Sequence, residues 1–306
     1  MEWENSREST NIEDRRGDSG GGGGGIGIPI GGGTGGLGIG VIIVLALIGY
    51  FTGIDPRVLI GGAQIVMGNG NGGSISMPSS SPAPAPARSQ QVAQDDPMRH
   101  FVAKILGQTE DVWSAVLPAQ KGVNYTKPTL VLYSGATQSG CGSAQAAMGP
   151  FYCPNDQKVY LDMSFFNDMR AKYGGGGDFA YAYVISHEIG HHVQNLLGIL
   201  DKADEAKQSG SRTQANAISV RIELMADCLA GVWAFNADEK YHILDPGDVE
   251  KALATAQAIG DDRLQTAARG YAVPDSFTHG SSALRQQWLT TGLKSGQVDS
   301  CNTFAQ

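Results

Sequence analysis

The chain predicts an α+β fold, a small antiparallel sheet followed by a largely helical C-terminal half, placed after one transmembrane helix. Two observations carry this. After residue 97 the strand-like runs, Thr129 to Tyr133 (TLVLY) and Lys158 to Leu161 (KVYL), come early and the helical patterns come late, so the two kinds of element are segregated rather than alternating. Upstream, residues 35 to 54 (GGLGIGVIIVLALIGYFTGI) run for about twenty positions without a charge, long enough as a helix to cross a bilayer.

Taken in order, residues 1 to 34 are charged and then glycine-rich, with too little apolar surface to fold alone, and are expected to be disordered. Some thirty polar and glycine residues before the apolar run separate it from a signal peptide. Arg7, Arg15 and Arg16 lie before the run and only Arg57 lies just after it, which predicts a cytoplasmic N-terminus and a domain on the periplasmic or outer side of the cell inner membrane. Residues 55 to 96, with NGNGG and SSSPAPAPA, read as a tether. About 210 residues remain from Pro97 onward, enough for one core with a cleft. Within them, helical patterns cover Met98 to Leu117, Ser164 to Tyr173, Phe179 to Leu200 and Ser219 to Ala237, and Ser281 or Ser282 can cap a last helix.

The helical run from Phe179 contains His187-Glu188-Ile189-Gly190-His191, an H-E-x-x-H pattern. Positions i and i+4 lie on one helix face, so both imidazoles can reach a single zinc ion, and Glu188 falls beside the place of a water on that ion. A catalytic zinc needs a third protein ligand. The metzincin spacing is excluded, because Gln194 and Leu197 stand where it needs glycine and histidine. Glu223 on the next helix is the candidate. Asp227, one turn further on, is placed to accept the free N–H of a ligating histidine. Both acids sit in an apolar helix, where unpaired burial costs several kcal/mol or more each, roughly. His279, in the turn PDSFTHGSS, is the candidate donor to a developing oxyanion, with Tyr271 as the alternative. Nothing pairs His100, His192 or His242 at ligand spacing, so they are expected to be structural or exposed.

Several blocks together resemble the bacterial neutral zinc metallopeptidases that carry one N-terminal membrane span. They are Trp3 with Arg7-Glu8-Ser9, Asn11 and Asp14-Arg15-Arg16, then Cys141-Gly142 through Tyr152-Cys153-Pro154, Val184 to His192, Arg221 to Cys228, and Pro274 to Ser282. The resemblance covers nearly the whole chain outside the tether and implies a zincin-like peptidase domain acting on peptide or protein. An edge strand beside the zinc helix is expected to bind substrate backbone, with Lys158 to Asp162 as its candidate.

Four cysteines without C-x-x-C spacing suit two disulfides on an oxidising side of a membrane. Three pairings are open; the short loop favours Cys141 with Cys153, leaving Cys228 with Cys301. A net charge of −8 with dispersed Lys and Arg excludes a basic nucleic-acid stripe, and the glycine runs lack the Lys-Ser/Thr of a phosphate loop. The expected function is therefore zinc-dependent peptide hydrolysis at a membrane. The alternative is a zinc-stabilised, non-catalytic binding module.

Overall fold

In the computed structural model, the described residues are 1–17, 96–172 and 176–305. Their order is β1 (Ile12–Asp14), α1 (Pro97–Lys121), β2 (Thr129–Tyr133), β3 (Ala136–Ser139), β4 (Gly142–Gln145), β5 (Phe151–Cys153), β6 (Lys158–Asp162), α2 (Ser164–Lys172), α3 (Asp178–Leu196), α4 (Ile199–Ser209), α5 (Arg212–Tyr241), α6 (Asp248–Ala258), α7 (Asp261–Arg269) and α8 (Ser282–Ser295), with short 3-10 turns between several of them.

The class is α+β, but the sheet is not antiparallel. Its order is β1-β2-β6-β5, with β1–β2 and β2–β6 parallel and only β5–β6 antiparallel, while β3 and β4 form a separate antiparallel pair. The continuous apolar run of β2 has a physical reason. Leu130 and Leu132 face the helical core together with Val159 and Leu161, and Val131 and Tyr133 pack with Tyr160 and Ala144 of the hairpin on the other side. A strand covered on both faces has no polar side to show. The sheet order also moves the expected edge strand: Lys158–Asp162 is interior and β5 is the edge.

Residues 1–17 are a second correction. They were expected to be disordered, yet β1 extends the sheet in register, Ile12 opposite Leu130 and Asp14 opposite Leu132. Trp3 packs edge-on against Phe101 at 5.2 Å and donates from Nε1 to Asp178 at 2.8 Å. The charges that argued against folding are used in docking. Glu110 of α1, 1 % exposed, accepts from Ser9 Oγ at 2.5 Å, Asn11 Nδ2 at 2.7 Å and Arg7 Nη2 at 2.8 Å. Arg16 reaches Asp96, the N-cap of α1, at 2.5 Å. Composition could not reveal this, because the partners lie about a hundred residues downstream. The arginines counted as an orientation signal are thus bound within the fold. An N-terminal segment sharing a sheet with the domain cannot lie across a membrane from it, which is at odds with the expected single crossing. The apolar run at 35 to 54 lies outside the described residues, and among those described no helix is long and apolar enough to cross a membrane.

The helices frame the site. α3 ends where Gly198 takes a left-handed conformation, φ 66°, a few residues sooner than its apolar pattern suggests. It packs on α5, with Gly190 approaching Ala226 so closely that a Cβ there would lie 3.0 Å from the Ala226 carbonyl oxygen. α5 in turn crosses α8 at Gly231 and Gly292. Disulfides join Cys141 to Cys153 and Cys228 to Cys301; the first ties the β3–β4 hairpin to β5, and the second ties α5 to the turn after α8.

Candidate metal centre

Helical spacing puts His187 and His191 one turn apart on α3, their ring centroids 4.9 Å from each other. Because α5 crosses α3 tightly at Gly190, Glu223 comes within reach of both. Its Oε2 lies 3.2 Å from His187 Nε2 and its Oε1 lies 3.6 Å from His191 Nε2. Among the described residues, these three are the group able to hold a metal ion. Ligand atoms about 2.0 to 2.2 Å from a tetrahedral zinc sit roughly 3.3 Å apart, so the donor set and its spacing fit that ion.

Each histidine is oriented from behind. His187 Nδ1 donates to Asp227 Oδ1 at 2.9 Å, which leaves Nε2 for the metal. His191 Nδ1 faces Gln194 Oε1 at 2.9 Å, and Gln194 Nε2 donates to the Ile222 carbonyl at 2.7 Å. Gln194, one of the two residues that break the metzincin spacing, is therefore the one that holds the second imidazole.

Asp227 is fully buried and heavily partnered. Arg285 of α8 donates to it twice, from Nε and Nη2, both at 2.8 Å, and Tyr183 OH donates at 2.6 Å. Burial alone would raise the Asp227 pKa, but Arg285 and His187 outweigh it and hold it at about 2. For His187, burial pulls down while Asp227 and Glu223 pull up to about 10, so the centre is electrostatically suited to positive charge. Glu223 is driven well below the usual carboxylate range, burial being overcome by the two histidines.

The centre opens into a cleft of about 540 Å³. Glu188 and His279 both line it, and Phe151 and Tyr152 of β5 form one wall. Tyr271 is 61 % exposed and is not among the lining residues, so of the two candidates His279 is the one at the cleft. His192 is buried and structural: Nδ1 meets Tyr152 OH at 3.0 Å and Nε2 donates to the Thr126 carbonyl at 2.6 Å, pinning α3 to β5. His100 pairs with Glu8, and His242 caps α5 in a left-handed conformation.

Sequence reasoning missed Arg285, Tyr183 and Gln194. Only Asp227 hinted at them, since a carboxylate in an apolar helix demands a buried cation somewhere. No spacing rule said that the cation would arrive from α8.

A family profile described as "Putative neutral zinc metallopeptidase" matches residues 1–304. Over 306 residues the chain is 43 % identical to the uncharacterized protein YpfJ of Escherichia coli K12, covering 100 % of this chain and 99 % of that one. It is also 43 % identical over 204 residues to the uncharacterized protein Rv2575 of Mycobacterium tuberculosis, covering 63 % of this chain and 66 % of that protein. No solved structure matches. With H-E-x-x-H and a downstream glutamate meeting at one point, and the profile spanning the fold from the N-terminal segment to the last turn, the chain belongs to the neutral zinc metallopeptidase family.

Proposed function

We propose that the protein is a zinc-dependent peptidase of zincin-like, gluzincin-type architecture, with His187, His191 and Glu223 as metal ligands. The observation that carries this is the meeting of those three donors at the floor of an open cleft with Glu188 beside them. Zinc held there would supply a Lewis acid that brings the pKa of a water toward neutrality. Glu188 takes the proton of the attacking water and passes it to the departing amine. His279 donates to the oxygen that gains charge at the scissile carbonyl. The outer edge of β5 lies along the cleft and suits pairing with an extended substrate backbone, which favours peptides over small esters. A structural zinc site is closed by four protein ligands, whereas the described residues offer three here, in an open cleft, which weighs against the binding-module reading.

The two disulfides support a compartment outside the reducing cytosol. The run at 35 to 54 is the segment by which the chain would meet a membrane there.

The test uses the full chain, since residues 1–17 are part of the sheet. Zinc-loaded protein is incubated with an unbiased peptide library beside Glu188→Gln. Cleavage by the parent that falls by about 10²-fold or more in the variant, at equal zinc content, is expected. Equal cleavage by both would refute the role of Glu188, and no cleavage by either would favour the binding module.

A further inference from the structure

The turn that carries His279 is held by a carboxylate on another helix. Asp261, the first residue of α7, is nearly buried, and its Oδ2 accepts three successive backbone N–H groups, from Thr278 at 2.8 Å, His279 at 2.6 Å and Gly280 at 3.0 Å. In return, the Asp261 N–H donates to the Gly280 carbonyl at 2.9 Å. Asp262 continues the clamp, since its Oδ1 accepts from both the backbone N–H and the Oγ of Ser282 at 2.7 Å. Two glycines make this approach possible. A Cβ on Gly260 would lie 2.4 Å from the Ser282 nitrogen, and Gly280 has φ +96° with Leu224 against its inner side.

The second oxygen of Asp261 is not used on the backbone. Oδ1 lies 3.5 Å from His279 Nδ1, and Thr278 Oγ1 lies 3.1 Å from the same nitrogen. Both neighbours of the ring are thus at Nδ1, and Nε2 is the nitrogen left for the cleft that His279 lines. We propose that Asp261 is a positioning residue for His279: one oxygen fixes the turn, and the other accepts from Nδ1–H, orienting the ring and stabilising its doubly protonated form, so that an Nε2–H is presented to the substrate. The carboxylate in turn holds the imidazole pKa above its usual value, against the opposing effects of burial and Arg285 and with help from Glu223.

A bare structural clamp would need only the first oxygen, and this makes the proposal separable. Asp261→Asn keeps an oxygen for the three N–H groups but turns an NH₂ toward Nδ1, which then must accept, so the doubly protonated ring gives way to a neutral one. The inference rests on the peptidase reading for its kinetic arm only. In the first arm, ring ¹⁵N signals of His279, assigned by their loss in His279→Gln, are compared between the parent and Asp261→Asn. A change in the protonation pattern of Nδ1, with the backbone amide signals of 278–280 retained, is expected; an unchanged ring pattern would overturn the proposal. In the second arm, on a peptide from the library that the parent cleaves, His279→Ala is expected to lower kcat on the order of 10²-fold. Asp261→Asn should show part of that loss, because a neutral Nε2–H is a weaker donor than a charged one, with little change in KM or zinc content, and the double variant should be no slower than His279→Ala. Independent, multiplying losses would overturn the positioning role. Should neither the parent nor Glu188→Gln cleave any peptide, the peptidase reading fails while the nitrogen signals still decide the link between Asp261 and His279.

Discussion

Asp227 has no exposure and three side chains donating to it, so its charge is held only as long as each donor stays. Arg285→Met removes the full cation and strands the anion. A loss of about 3 to 5 kcal/mol is expected, the scale for breaking a buried pair, and chemical denaturation would measure it. Asp227→Asn is milder in stability but should weaken zinc binding by roughly 10- to 100-fold, read by competition with a chelator, because His187 loses its orienting acceptor. The metal triad was legible in the sequence since i and i+4 on a helix share a face and a buried glutamate nearby needs a reason. Arg285 and Asp261 were not, because each acts across a contact between helices that no local period encodes.

Elements meet closely where glycine permits. A Cβ on Gly292 would lie 1.9 Å from the Cys228 carbonyl oxygen, and one on Gly231 would lie 2.4 Å from that of Leu289, so α5 and α8 touch backbone to backbone. Gly292→Ala must push the helices apart and should cost about 1 to 3 kcal/mol or more, with Arg285 shifted from Asp227; thermal melting beside a zinc titration would show both losses. The long helices and β2 were readable from apolar period and length. β5 has three residues, too few for any pattern, which is why the edge was assigned to its longer neighbour. β1 was hidden by its charges, and those charges make it acid-sensitive. Glu13 is brought to about 2, chiefly by Arg15 and Lys158 against some burial, and Glu110, Asp111, Asp14 and Asp96 are also lowered, burial being outweighed by their arginine, amide or hydroxyl partners. Groups depressed in the folded state add stability above their unfolded pKa of about 4, and that stability is lost as pH falls toward about 2. Amide exchange at Ile12–Asp14 should therefore quicken across that window; constant protection there would count against the ion-paired dock.

For the whole molecule, one folded body holds both the N-terminal segment and the cleft, so both belong on one side of any bilayer the chain touches. A small tag before Met1 and a reporter after Gln306 are expected to report the same compartment, and opposite compartments would mean that β1 is not docked in the cell. The same strand bears on how the protein reaches its fold. β1 pairs with residues more than a hundred positions further on, so it is made well before its partner strand and can settle only after that strand emerges, and this long-range closure slows folding. Until it settles, the outer edge of β2, apolar and five residues long, is an unpaired template on which strands of other chains can grow. Three docked residues are then a plug against self-association, and a chain lacking residues 1–17 should scatter light as aggregates even where its helices have formed.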